Sequence, residues 1–208
     1  MTHHQTSRLV LVRHGRTAWN EQGLYQGHAD IPLDPVGEQQ AAELVPSLAP
    51  LGPDLIATSD LSRARQTGAP LAAAVGLTPV VDPRLREVDV GRWEGLTREQ
   101  AATAYPEEFR RWMGGEDVAR GGGETRRDAA ARAVDGILDH LRAAGPGALV
   151  VIVSHGMVLS ATVEALAALG VINHSGPVPR FANAAWMDLI ATLPELDELA
   201  EEAEAAEG

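Results

Sequence analysis

LVLVRHGRTAWN (residues 9–20) and ALVVIVSHG (148–156) share one layout: an apolar run, then a histidine and a glycine. The runs at 9–12 and 148–153 are continuously apolar rather than alternating, which marks strands covered on both faces. Outward from them, apolar spacing predicts a helix over 36–48 that starts at Asp34-Pro35, and one over 61–75 that ends at Gly76. Two more helices are expected over 124–143 and 158–169, with further strands at 54–58, 78–81 and 184–190 and a loop at 121–123. Alternating strands and helices with continuously apolar strands indicate an α/β fold, a three-layer α/β/α sandwich with a mostly parallel central sheet. No internal repeat is present.

The 208 residues suit one domain over 1–194, followed by an acidic tail, 195–208, expected to be a frayed helix or disordered. Seven acidic residues of the tail account for much of the formal charge of −12, leaving −5 for the rest. A mildly acidic body argues against a nucleic-acid partner. No apolar run is long enough to span a membrane, and no signal peptide is read at the N-terminus. The absence of cysteine excludes disulfides and thiolate metal sites, and makes a cytoplasmic location the expectation. All 17 basic residues are arginine, so no lysine is available as a Schiff base or phosphate clamp.

In an open α/β sheet, ligands bind at the carboxyl ends of the strands. His14 and His155 are expected there, facing one another if their strands are neighbours. Arg13 and Arg63 fall near the same edge, and guanidinium groups bind phosphate through paired hydrogen bonds. Backbone N–H groups beside Gly15 and Gly156 can add to an anion site. Arg65 reads as solvated, and a solvated face is the alternative reading for Arg16 and Arg63. His3, His4, His28, His140 and His174 are expected to be solvated or locally bonded, with contact to a substrate the alternative for His28, which follows Gln26 and Gly27.

LVRHGRTAWN resembles the signature of the histidine phosphatase superfamily, which includes cofactor-dependent phosphoglycerate mutase. YQGHADIPLDPVGEQQA, TSDLSRARQT, LREVDVGRWEGLT, GGGET and VSHG resemble further blocks of that family, in family order. The resemblance implies a phosphoglycerate mutase-like fold and a phosphohistidine formed on His14. It implies that Arg13, Arg63 and His155 hold the phosphoryl oxygens and that Glu87 protonates the leaving oxygen. His155 is expected to serve as a cation. Asn20, Gln26, Gly27 and Gly156 fall at phosphate- or substrate-binding positions. Neither metal nor cofactor is implied, and the partner is a small phosphorylated molecule.

Mutases of the family carry a longer, basic insertion where this chain has only residues 96–120, so the resemblance favours a phosphatase. LREVDVGRWEGLT, GGGETRRDAAAR and FANAAWMDL are similar to the glucosyl-3-phosphoglycerate and broad-specificity phosphatases. The substrate expected is a sugar phosphate, a phosphoglycerate derivative or another small phosphomonoester. A mutase and a non-catalytic phospholigand-binding domain are the alternatives. Asn183 is expected to support the site and Trp186 to pack within its strand. Related phosphatases are often dimers, and an apolar late segment offers an edge, so a homodimer is expected.

Overall fold

The apolar run at 9–12 belongs to a longer strand, after which helix and strand alternate. In order the chain forms β1 (Gln5–Arg13), α1 (Ala18–Glu21), α2 (Pro35–Leu48), β2 (Leu55–Thr58), α3 (Ser62–Val75) and β3 (Val80–Val81). It continues with α4 (Arg98–Ala104), α5 (Pro106–Met113), α6 (Arg126–Ala144), β4 (Leu149–Ser154), α7 (Gly156–Ala168) and β5 (Trp186–Leu193). The structure, a computed structural model, describes residues 5–178 and 180–193. The acidic tail, His3 and His4 lie outside the described residues.

The five strands form one sheet in the order β3-β2-β4-β1-β5, parallel except for β5, which runs antiparallel to β1. Side-chain alternation along the central strands divides the interior into two cores. Leu9, Leu11, Val150 and Ile152 pack with Ile137 and Leu141 of α6 and Leu159 and Leu166 of α7. Val10, Val12, Val151 and Val153 pack on the other face with Leu44 and Leu48 of α2 and Leu71 of α3. Both faces are covered, which is why these strands read as unbroken apolar runs. Among the described residues no helix is long and apolar enough to cross a membrane.

Local chemistry sets the helix ends. The Asp34 side chain accepts from Gly37 N–H at 2.8 Å with Pro35 opening α2, and Gly76 ends α3 in the left-handed region at φ 71°. The strand expected at 78–81 is only two residues long, and both valines are exposed because it is an outer edge. Residues 96–120 fold into α4 and α5, which close an aromatic cluster of Trp93, Tyr25, Tyr105, Phe109 and Trp112. The late segment does form the other edge, as β5. Trp186, expected to pack within its strand, stands 40% exposed there, because β5 has one face outside both cores.

The loop leaving β1 crosses the first turn of α2 at backbone contact. A Cβ placed on Gly37 would fall 2.0 Å from Arg16 O, and one on Gly15 would fall 2.5 Å from Gly37 O. Two glycines therefore set how closely the His14 loop sits on its supporting helix. Gly37→Ala is expected to lower stability by about 1–3 kcal/mol through overpacking, read as a lower urea midpoint. An unchanged midpoint would show that this crossing relaxes freely.

Candidate active site

Parallel pairing of β1 with β4 brings the two histidines together. Arg13 pairs with Ser154 in the sheet register, and His14 N–H donates to Ser154 O at 2.9 Å. The next residue on each strand is the histidine itself. The His14 and His155 ring centroids lie 5.1 Å apart with planes at 60°. Arg13, His14, Asn20, Gln26, Gly27, Arg63, Glu87 and Gly156 all line one cavity of about 1080 Å³.

Hydrogen bonds assign the tautomer of each ring. His14 Nδ1 lies 2.7 Å from Gly15 O. A carbonyl only accepts, so Nδ1 carries the proton and Nε2 is left with its lone pair. Arg63 Nε lies 3.1 Å from His155 Nδ1, and a guanidinium only donates, so that nitrogen is unprotonated. The neutral ring then carries its proton on Nε2, a buried atom that has no partner within the protein. One ring thus presents a lone pair and the other an N–H.

Electrostatics agree. Burial, then the charges of Arg63 and Arg13, hold the His14 pKa well below the ordinary imidazole value. Burial, Arg63 and His14 do the same to His155. The expectation of a cationic His155 is therefore corrected: between a donating guanidinium and a second imidazole, it is a neutral hydrogen-bond donor. Burial also brings the Arg63 pKa down to about 10, so that group remains charged at neutral pH.

Arg63, at the start of α3, is held by three acceptors: His155 Nδ1, Ala29 O at 2.7 Å and Gly27 O at 2.9 Å. Arg13 Nη1 donates to Phe181 O at 2.7 Å, while its buried Nε has no partner. A Cβ at position 156 would stand 3.2 Å from Arg13 Nε, so the glycine there leaves room for the guanidinium. Asn20 Oδ1 accepts from Thr17 N–H and Asn183 Nδ2–H, both at 3.1 Å, which leaves the Asn20 amide nitrogen for the cavity. Gln26 Oε1 accepts from the Thr17 hydroxyl at 3.1 Å. Asn183 also donates to the carbonyls of His14 and Gly15, each at 3.2 Å, a supporting role matching expectation.

Glu87 sits between the sheet and the start of α7. Its Oε1 accepts from Val88 and Val158 N–H at 2.9 Å, and its Oε2 from Met157 N–H at 3.1 Å. Its backbone is clamped by Arg132 of α6, which donates to the carbonyls of Arg84, Arg86 and Glu87 at 2.7–2.8 Å. His28 does not reach the cavity lining; its Nε2 bonds to Glu87 O at 2.9 Å. Arg16 pairs with Asp34 and Glu21, and Arg65 bonds Ser62, all away from the site. His140 bonds Asp82 at 3.0 Å, a buried structural contact. Among the described residues no group of three histidine or carboxylate side chains is placed to hold a metal ion.

Sequence reasoning missed Arg132 and Arg120. Arg120 lines the cavity against Met157 and Trp112, but in sequence it is one more charge in a polar stretch beside glycines. Arg132 sits inside α6 between Ala131 and Ala133, where apolar periodicity does not reveal that its side chain reaches the carbonyls around Glu87.

The chain matches the family model described as histidine phosphatase superfamily (branch 1) over residues 9–190. It is 36% identical over 189 residues to a glucosyl-3-phosphoglycerate phosphatase of Mycolicibacterium vanbaalenii, covering 88% of this chain and 83% of that protein. It is 37% identical over 160 residues to phosphoserine phosphatase 1 of Hydrogenobacter thermophilus, covering 76% and 75%. A solved structure of mycobacterial glucosyl-3-phosphoglycerate phosphatase with VO3 superposes with a TM-score of 0.77 at 32% identity, covering 91% of this chain and 97% of that one.

Because both histidines are buried neutral, the unfolded chain takes up their protons first as pH falls through the ordinary imidazole value near 6.5. Stability is therefore complete above that pH and lost below it, by up to about 1.4 kcal/mol per pH unit for each ring. Urea unfolding of the wild type between pH 7 and pH 5 is expected to show this loss. His14→Gln/His155→Gln should flatten it, and equal slopes would contradict the assignment of neutral rings.

Proposed function

This chain belongs to the histidine phosphatase superfamily and is a phosphomonoester hydrolase, and we propose that it works through a phosphohistidine on His14 without a metal ion. The substrate is a small phosphomonoester, a sugar phosphate or a phosphoglycerate derivative, and the enzyme acts in the cytoplasm. Similarity to the glucosyl-3-phosphoglycerate phosphatases supports the second substrate class.

The observation that carries this reading is the bond from His14 Nδ1 to Gly15 O, which orients a neutral ring with its Nε2 lone pair free. In the first step Nε2 attacks phosphorus, the bond from phosphorus to the leaving oxygen breaks, and Glu87 gives that oxygen a proton. Arg13 and Arg63 offset the charge spread over the non-bridging oxygens, and His155 Nε2–H donates to one of them. Asn20 and Gln26 present amide donors at the same cradle, and the Gly27 carbonyl holds Arg63 in place. In the second step water attacks the phosphohistidine and loses its proton to the Glu87 carboxylate. Inorganic phosphate leaves, and His14 returns neutral. A donor that is neutral at position 155 costs no proton uptake when substrate binds, so the fixed positive charge of the cradle comes from arginine alone.

Turnover of p-nitrophenyl phosphate with EDTA present tests the proposal. His14→Ala is expected to lose about 10³-fold or more, and activity surviving that change would remove the nucleophile assignment. Glu87→Gln should cost about 10²–10⁴-fold on an alkyl phosphate and much less on p-nitrophenyl phosphate, whose leaving group departs without protonation. Release of inorganic phosphate, rather than isomerised phosphoglycerate when 2,3-bisphosphoglycerate is supplied, separates this reading from a mutase. Failure to turn over any phosphomonoester would favour a binding domain.

A further inference from the structure

Arg120 lies just before the glycine run that leads to α6 and is only 3% exposed. Its contacts differ in kind from those of the other buried guanidinium groups at the site. Arg63 and Arg13 donate to backbone carbonyls, whereas Arg120 Nη1 and Nη2 each lie 3.3 Å from Met157 Sδ. Its guanidinium carbon stands 5.4 Å from the Trp112 ring centroid. A thioether is a weak acceptor and an aromatic face offers only its quadrupole. Among the described residues no oxygen accepts a hydrogen bond from this group and no carboxylate pairs with it. A cation buried without a paired counter-ion is costly: burial lowers the Arg120 pKa, and the charges of Glu87 and Asp117 offset this only in part.

The group lines the cavity that holds His14 and Glu87. Met157 links the two places, its backbone N–H on Glu87 Oε2 and its sulfur on Arg120. The phosphate cradle and Arg120 are thus separated by about one side chain, on the wall of one chamber. Trp112, held at 5.4 Å by Arg98 as well, forms the floor under the guanidinium.

We propose that Arg120 binds a carboxylate of the substrate, so that the enzyme selects small phosphorylated acids over otherwise identical phosphomonoesters. The inference rests on the phosphatase reading of the same cavity. A planar guanidinium fork matches a carboxylate bidentately. The other charges of the chamber are mixed, Glu116, Asp117 and Glu164 beside Arg98, Arg126, Arg127 and Arg180, so the buried guanidinium without an oxygen partner marks where the carboxylate binds.

The test compares kcat/KM for two pairs that differ in a carboxylate: phosphoserine against phosphoethanolamine, and 3-phosphoglycerate against glycerol 3-phosphate. The wild type is expected to favour the acid of each pair by about 10- to 100-fold, the range of a hydrogen bond to a charged group. Arg120→Met should bring that ratio close to one, mainly through KM for the acids, and Arg120→Lys should restore part of it. A wild type with no preference, or an Arg120→Met protein that keeps the ratio, would overturn the proposal. His14-dependent hydrolysis of p-nitrophenyl phosphate, measured on the same preparations, tells whether the phosphatase reading stands when this one falls.

Discussion

A guanidinium can only donate, so the 3.1 Å contact between Arg63 Nε and His155 Nδ1 leaves that ring nitrogen bare and puts the proton on Nε2, which has no partner within the protein. The same arginine is fully buried and is itself held by the carbonyls of Gly27 and Ala29. It thereby ties three distant stretches of chain into one rigid object: the loop after α1, the start of α3 and the end of β4. It also lowers the proton affinity of both imidazoles, since a fixed positive charge beside each ring adds to the effect of burial. Burial and this one side chain together keep His14 a free base and His155 a neutral donor.

The fold supplies the remaining placement. Two cores on opposite faces of the sheet leave the carboxyl ends of β1, β2 and β4 open at one rim, where His14, Arg63 and His155 emerge. Glu87 reaches that rim just past a short 3-10 turn (Pro83–Leu85), in a segment outside any α-helix or strand. Arg132 takes up three of its carbonyls, and Ser154 donates to a fourth at Leu85 O, 2.7 Å away. The carboxylate then rests on backbone N–H groups at the start of α7. A loop residue is thus held as firmly as one on a strand, because its backbone acceptors are satisfied by helix and strand side chains.

Much of this was legible before any coordinates. The runs at 9–12 and 148–153 announced buried strands because both faces are covered, and the histidines that follow them inherited their position from the sheet. Arg63 was readable from its place at a helix start after a strand. The charge state of His155 was not, because it depends on a partner far away in sequence. Arg120 was equally hidden: its burial is produced by Trp112 and Met157, which arrive from different helices. Nothing local in the sequence reveals that Arg16 O passes over Gly37. The strand at 78–81 was overestimated because apolar composition alone does not tell an edge of two residues from a longer one.

The strand order carries a last implication, for how the molecule comes into being. β1 and β2 precede β4 by a long stretch of chain, yet each pairs with β4 and not with the other. A chain emerging from the ribosome therefore holds β1 with no mate, and β2 with only the two-residue β3, until the segment at 149–154 threads between them. Such late, long-range closure is slow and leaves strand edges open to other chains. Truncation anywhere before that segment should yield material that aggregates rather than a smaller working unit, and the two imidazoles meet only when the middle of the sheet is filled.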